Sequence, residues 1–436
     1  MAKVSRHRIS VQEYGAKEPL ASHAEQAGIS TSELGRYLRE AERRISAAIS
    51  IDKCIEIDET YFRVFDIAGL IRLNPRIELE VCPKFLMLSE QSWREDFFAI
   101  ATIARYGRVL PRETLRGGLI KRGDLADLIA RAIIVMFDKN YRRPLRVYRR
   151  RSWVDVNIDG EPEPESLLFP DEVGFLQSGI ILDRQNLYNR IIHQAMGVLL
   201  ADVRDGDVRR QLSQRYIMLA PQPDRVRGSY KKPLPSRHSK WQELFDLSRE
   251  VIQGFGVGFQ EHSIASLPGF VIKTDSAWES LLLVAIRAGM PDRLVEKNTQ
   301  ALGARWIPGY KKKVIETTPD ITVKKNDGSL FVIDAKYKGR ILPDGKEKLN
   351  IEAGDLYEAL AFLQATGTDR AVLLYPIPSG MASSVPSLGA AAEFERLLVG
   401  TKEIIGVAVD SRGMASSSGF RKFANQLSET LKSLGA

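Results

Sequence analysis

Thr318-Pro319-Asp320-Ile321-Thr322-Val323, a turn through Lys324-Lys325-Asn326-Asp327-Gly328-Ser329, and then Leu330-Phe331-Val332-Ile333-Asp334-Ala335-Lys336 form the stretch on which the C-terminal fold and its chemistry turn. Two apolar, β-branched runs flank an Asp-Gly turn, the strongest short-range signal for a hairpin. Adjacent strands then bring the carboxyl groups of Asp320 and Asp334 and the ammonium of Lys336 into one small space. Positions two apart on a strand point the same way, so Asp334 and Lys336 share a face. Phe331-Val332-Ile333 reads as a buried strand, and a carboxylate at its end is costly unless a cation compensates it. Carboxylate oxygens suit Mg²⁺, and a neighbouring lysine orients a water or offsets charge growing on a phosphate. The expectation is phosphodiester chemistry. The competing reading is an ordinary hairpin with Asp334 and Lys336 as solvated neighbours.

Pro319-Asp320 followed by Asp334-Ala335-Lys336 resembles the PD-(D/E)xK nuclease motif, a short and degenerate pattern. A third acid is expected upstream on a helix. Glu279 fits, because Ser276-Ala277-Trp278-Glu279 opens the apolar run Leu281 to Ile286, which breaks near Gly289 and Pro291. Glu279 shares a helix face with Leu282, Leu283 and Ile286. Its alternative is a capping box with Ser276.

The chain has 436 residues, 44% hydrophobic and 27% charged, which is ordinary globular material for two or three domains. A net charge of +8 suits a polyanionic partner without naming it. Cys54 and Cys82 are the only cysteines and lie in no metal-ligand spacing, so a disulfide scaffold and a zinc site are both disfavoured. The five histidines form no zinc-type spacing either. No apolar run reaches the roughly 18 residues of a membrane span, and the polar start lacks a secretory h-region, so no membrane association and a cytoplasmic location are expected.

The expected architecture is α+β and multi-domain. Residues 1–165 read as a β-rich domain from the alternating runs at 54–57, 62–67 and 77–81, an antiparallel sheet buried on one face, followed by helices at 96–106 and 124–138. The polar stretch 159–164 reads as a boundary. Residues 166–265 read as a helical linker domain, with stripes at 186–203 and 239–253. Residues 266–436 alternate between the two patterns: helix 276–288, strands at 313–323 and 330–336, a helix from about 355, strand 371–375, a helix near 391–399, strand 404–409 and a terminal amphipathic helix. That pattern gives an α/β domain with a mixed sheet.

Several pieces taken together resemble the McrC subunits of modification-dependent restriction systems. They are Ala68 to Leu73, Glu80-Val81-Cys82-Pro83-Lys84-Phe85, Val173-Gly174-Phe175-Leu176, Asn186-Leu187-Tyr188-Asn189, the nuclease motif with Tyr337-Lys338, and Asp355-Leu356-Tyr357-Glu358. Family members place glutamine at the position of Glu358. The resemblance implies a restriction-endonuclease-like C-terminal domain (266–436) that cuts double-stranded, foreign and modified DNA with Mg²⁺. It also implies an AAA+ GTPase partner of McrB type, stimulated by the N-terminal region. In this reading Asp320 and Asp334 carry the metal with the Ala335 carbonyl as a further ligand, Lys336 positions the attacking water, and Glu279 orients water or completes the ligand set. No Gly-x-x-x-x-Gly-Lys-Ser/Thr loop occurs, consistent with a partner that hydrolyses the nucleotide.

Two alternatives stand beside this reading: a catalytically silent GTPase-stimulating adaptor, and a stand-alone site-specific endonuclease. Lys311, Lys312, Lys313, Lys338 and Arg340 flank the hairpin and are expected to position phosphates. Arg149, Arg150 and Arg151 lie in an arginine-rich run around Tyr148, read as a DNA contact, a partner contact or a solvated face.

Overall fold

A computed structural model of the chain describes residues 7–49, 51–74, 76–90, 92–106, 125–219, 233–253, 270–307, 313–337, 340–341, 347–377 and 391–436. They form a mixed α/β protein with several sheets, divided into two compact units: residues 1–128 with 253–436, and residues 129–252. This division does not follow the three consecutive segments expected from sequence. Strand Phe270–Lys273 pairs antiparallel with Ile67–Asn74, so the chain returns after residue 252 to complete the N-terminal sheet.

That sheet has the order His7–Gln12, Ile77–Cys82, Ile67–Asn74, Phe270–Lys273, and its first pair is parallel. It is therefore mixed, and its two central strands are buried on both faces, which differs from the antiparallel, half-solvated sheet expected. The alternating charges that mimic a wet face are neutralised inside. Arg8 donates to Glu78 through Nε at 2.7 Å, Arg94 donates to Glu80 through Nε at 2.7 Å, and Arg72 lies 3.8 Å from Glu78. Buried charges persist only when paired in this way. The runs 55–57 and 61–64 form a separate small sheet with Glu18–Pro19. Helices Leu20–Ala27 and Thr31–Ile49 pack beside it, the second burying Leu34, Leu38, Ala41 and Ile45 at helical spacing.

The C-terminal sheet has six strands in the order Leu294–Glu296, Ile321–Lys324, Leu330–Ala335, Arg370–Pro376, Lys402–Val409, Ala391–Val399. Its three central strands run parallel and its edges antiparallel. Helix Ala353–Thr366 covers it with Ala359, Phe362 and Leu363 against Val332, Leu373 and Ile404. The segment 391–399, expected to be helical, is the edge strand. Its Ala-, Glu- and Leu-rich composition favours a helix, but strand pairing lays Phe394 across Gly406 and edge-on to Tyr375 with ring centroids 5.2 Å apart. Tertiary packing overrides propensity there.

In the other unit, strands Val147–Asp155, Phe175–Asp183 and Glu161–Pro162 form a sheet with the second in the middle. The polar stretch 159–164 is thus a connection within one sheet, not a boundary. Helix Leu187–Leu200 is capped by Asn186, which accepts from the Asn189 amide and donates to the Leu145 carbonyl. Among the described residues no helix is long and apolar enough to cross a membrane, and both cysteines are free and buried.

Helix Thr274–Gly289 packs on helix Gly419–Ser433 through Gly289, where an added Cβ would stand 2.0 Å from Ser428 Oγ and 2.5 Å from the Ala424 carbonyl oxygen. Gly289→Ala should therefore destabilise the protein by about 1–3 kcal/mol through overpacking. An unchanged melting temperature in this variant would show that the two helices do not meet so closely.

Candidate functional site

The motif hairpin forms as expected. Gly328 takes φ +85°, a left-handed conformation that glycine adopts without cost, and Ser329 donates back to Asp327. Ile321 pairs with Ile333, so the next step of the register sets Asp320 opposite Asp334. The Asp320 carboxylate accepts from the Ala335 amide at 3.0 Å and lies against the Asp334 carboxyl. Asp334 is buried at the end of the parallel core, as the unbroken apolar run implies. The solvated-neighbour reading of Asp334 and Lys336 is therefore excluded.

The ammonium of Lys336 lies 2.6 Å from Asp334 Oδ2, donates to Glu358 Oε2 at 2.5 Å and stands 3.8 Å from Asp355. Burial works against this charge, but Asp334 and Glu358 outweigh it and hold the ammonium well above its usual range. Asp355 is buried and accepts from the Tyr375 hydroxyl at 2.9 Å. Burial pushes Asp334 up to about 7, with the Asp320 charge adding and Lys336 opposing.

Glu279 joins the same cluster through Lys297, whose ammonium donates to Glu279 at 2.6 Å and to Asp320 at 3.2 Å. The helix begins at Thr274 with Lys273 as its N-terminal flanking residue, so Ser276 lies inside the first turn and the capping-box alternative for Glu279 does not hold. Beside Glu279, Trp278 is buried and donates from Nε1 to the Leu374 carbonyl, fixing this turn of helix to the central sheet. The structure thus brings Asp320, Asp334, Ala335, Lys336 and Glu279 together. Sequence reasoning missed Lys297, which follows a short edge strand with no motif around it. Glu358 drew notice only as a departure from a family pattern.

Of the flanking basic residues, Lys313 is exposed and pairs with Arg305 across a two-stranded ribbon, and Arg340 lies on a short strand facing Lys348. Lys311, Lys312 and Lys338 lie outside the described residues. Arg149, Arg150 and Arg151 are exposed on one strand, where alternation turns Arg150 to the opposite face from the other two. Arg150 lies 3.6 Å from Glu161, and Arg237 covers the Tyr148 ring at 5.0 Å.

Among the described residues no three His, Cys, Asp or Glu side chains converge as a ready metal cage. The donors still fit a hard cation that keeps much of its water shell. Such an ion needs only one or two carboxylates, and Asp334 presents a buried oxygen, Oδ2, that already faces a cation, the Lys336 ammonium at 2.6 Å. Asp320 and Asp334 with the Ala335 carbonyl are the residues that would hold it.

The sequence resemblance to McrC chains is borne out by comparison with known proteins. Residues 180–376 match the family model described as the McrBC 5-methylcytosine restriction system component. A chain in the refined half-complex from the tetradecameric assembly of Thermococcus gammatolerans McrB AAA+ hexamers with bound McrC shares the fold. Its TM-score is 0.66 at 14% identity, over 97% of this chain and 100% of that one. A chain in the cryo-EM structure of the Thermococcus gammatolerans McrBC complex aligns over 63% of this chain and 85% of its own, at TM-score 0.49 and 12% identity. No curated protein matches the chain.

The buried Asp334 makes a signed prediction. Its carboxyl holds a proton more tightly in the folded state, about 7 against an ordinary 3.8. Its contribution to stability is therefore fully present below the unfolded value and is lost as pH rises through neutrality. In metal-free protein, the melting temperature of the wild type should fall relative to Asp334→Asn between those two values. Parallel melting curves across that window would contradict the burial cost assigned to this carboxylate.

Proposed function

We propose that this chain is the DNA-cleaving subunit of a McrBC-like restriction system, a Mg²⁺-dependent endonuclease acting on double-stranded, foreign and modified DNA beside an AAA+ GTPase whose hydrolysis it stimulates. One observation carries the reading: two carboxylates on paired strands and a lysine two residues on meet a helix-borne glutamate at one end of a mixed sheet. The six-stranded sheet is read as a restriction-endonuclease-like fold of PD-(D/E)xK type. The family match supports the system, and the fold shared with a chain from a complex containing McrC supports the subunit. The pI near 9.3 suits a polyanionic substrate.

In this reading water attacks the phosphorus in line, the 3′ oxygen leaves with the electron pair, and the water's proton passes to solvent or a carboxylate. Asp320, Asp334 and the Ala335 carbonyl would hold Mg²⁺, which would supply Lewis-acid polarisation of the phosphoryl oxygens and a lowered pKa for water. Lys336 stays protonated between Asp334 and Glu358, so it acts as a donor that orients the nucleophile and steadies the charge growing on the equatorial oxygens. Glu279 and Lys297 bound the side of the cluster nearest Asp320, where Glu279 orients water and Lys297 balances charge. Lys313 and Arg340, on strands that precede and follow the motif hairpin in the chain, are assigned to phosphate positioning.

Asp334→Ala and Lys336→Ala should each lower Mg²⁺-dependent cleavage by roughly a hundredfold or more, as loss of a group acting on the transition state does, while association with the AAA+ partner persists. Cleavage at the wild-type rate by purified Asp334→Ala protein would remove the nuclease assignment.

Stimulation of the partner's GTPase is assigned to the N-terminal region, residues 1–165. A fragment ending there would cut the sheet of 147–183 and strip strand 270–273 from 67–70. The full chain is therefore the object to test. Replacing Arg149, Arg150 and Arg151 with alanine should reduce GTPase stimulation if these residues face the ring, or flatten the salt dependence of DNA binding if they face phosphates. No change in either measurement would return them to the solvated surface.

A further inference from the structure

Glu13 is the least expected residue of the molecule. It follows the first strand, some 320 positions before the motif, and it is completely buried. Its carboxylate accepts from Thr274 Oγ1 at 2.6 Å, from the Tyr337 hydroxyl at 2.5 Å and from the Lys84 amide at 3.0 Å. These donors come from three places in the chain. Thr274 opens the helix that carries Glu279, Tyr337 is the residue after Lys336, and Lys84 lies in the turn after strand Ile77–Cys82.

The turn around Lys84 is itself held by the preceding residue. Gln12 donates to the carbonyls of Cys82, Pro83 and Leu86 and accepts from the Leu88 amide. So fixed, the turn grips Tyr337. Lys84 Nζ donates to the Tyr337 carbonyl at 2.8 Å and sits 3.9 Å over its ring, and Phe85 meets that ring edge-on at 5.8 Å while touching Trp278 at 5.9 Å. Two non-glycine residues beside Glu13, Tyr14 and Asp66, hold positive φ and bond to each other through hydroxyl and carboxylate. Asp66 also accepts from the Thr274 amide at 3.1 Å. Such backbone strain persists only where the surroundings over-determine it, and it clusters at functional sites.

We infer that Glu13 is a positioning residue for the cleavage reaction: it ties the ends of two separate elements together so that Lys336 and Glu279 are presented in one fixed geometry. The inference rests on the nuclease reading for its reaction, while the geometry stands apart from it. Glu13 contacts neither Asp320 nor Asp334 in any hydrogen bond and acts only through Tyr337 and Thr274. Lys336 stands just past the end of strand Leu330–Ala335, so its placement depends on what holds the residue after it. Tyr337 is that residue, and Glu13 is what it is anchored to. The N-terminal sheet is thereby part of the catalytic apparatus, beside the role toward the partner assigned to its region.

The test uses full-length chains. Tyr337→Phe removes one hydroxyl and keeps the ring between Lys84 and Phe85, and Glu13→Ala removes the acceptor. Both should lower kcat for Mg²⁺-dependent DNA cleavage by roughly ten- to a hundredfold, the loss expected from ångström-scale misplacement, with KM for DNA little changed. Glu13→Gln, which keeps an acceptor, should recover most of the rate, and Glu13→Ala/Tyr337→Phe should be no worse than the more severe single variant. Independently of cleavage, acetic anhydride followed by mass spectrometry should label Lys336 faster in Tyr337→Phe than in the wild type. Wild-type kcat in folded Tyr337→Phe, or unaltered Lys336 labelling in it, overturns the inference, and this variant decides the matter even where Glu13→Ala does not fold. A wild-type chain that cuts no DNA overturns the nuclease reading instead, and the labelling then judges the positioning role alone.

Discussion

Burial of the Asp334 carboxylate at the end of a parallel core strand is the constraint around which the C-terminal half is arranged. A lone ionised carboxylate in that place would be expelled or neutralised. The fold answers with position-specific cations: Lys336 two residues along the same strand, and Lys297 reaching Asp320 and Glu279 from the neighbouring edge. Lys297 is held between two acids and Lys336 among three. This is an arrangement of charges poised for exchange, because a divalent ion and a phosphate carry the same charges that the two lysines and the flanking carboxylates now balance. A hairpin that needed only to fold would place an apolar residue at position 334.

The same rule governs the N-terminal sheet, where it misled the sequence reading. Glu78 and Glu80 alternate with Leu79 and Val81, which is the signature of a strand wet on one side. In the structure both glutamates are buried and paired with Arg8 and Arg94 from a parallel strand and a following helix. Period-two alternation reports which residues share a face; whether that face meets water depends on partners far away in the chain. Arg8 lies seventy positions from Glu78, a separation that no local pattern encodes.

What was legible follows from this distinction. The motif hairpin, the helix that carries Glu279 and the terminal amphipathic helix rest on short-range signals, namely an Asp-Gly turn and apolar stripes, and they appear nearly where expected. The convergence of Asp320, Asp334, Lys336 and Glu279 was readable because the register of one hairpin fixes three of the four. Lys297 and the strand at 391–399 were not readable. The first is an isolated lysine whose role exists only across a sheet edge, and the second has helix-forming residues recruited as an edge by Phe394 packing on Gly406. The boundary at 159–164 failed for a related reason: a polar, proline-rich stretch marks a turn, and a turn inside a sheet looks the same as a turn between domains.

The return of the chain at residue 270 matters most for function. Had the polypeptide folded as three beads in sequence, the candidate site would belong to the last bead and the first could be exchanged without consequence. Instead the strand Phe270–Lys273 is a shared element: its pairing with Ile67–Asn74 completes one sheet, and its end, at Thr274, starts the helix that presents Glu279. The buried acid beside it bonds both to that helix start and to the residue after Lys336. A displacement of the N-terminal sheet therefore reaches both sides of the candidate site through short backbone, from Tyr337 to the adjacent Lys336 and from Thr274 over one helical turn to Glu279. In a protein read as the cutting arm of an AAA+ machine, that short mechanical path would let force on the N-terminal sheet bear on the catalytic geometry without any further moving part.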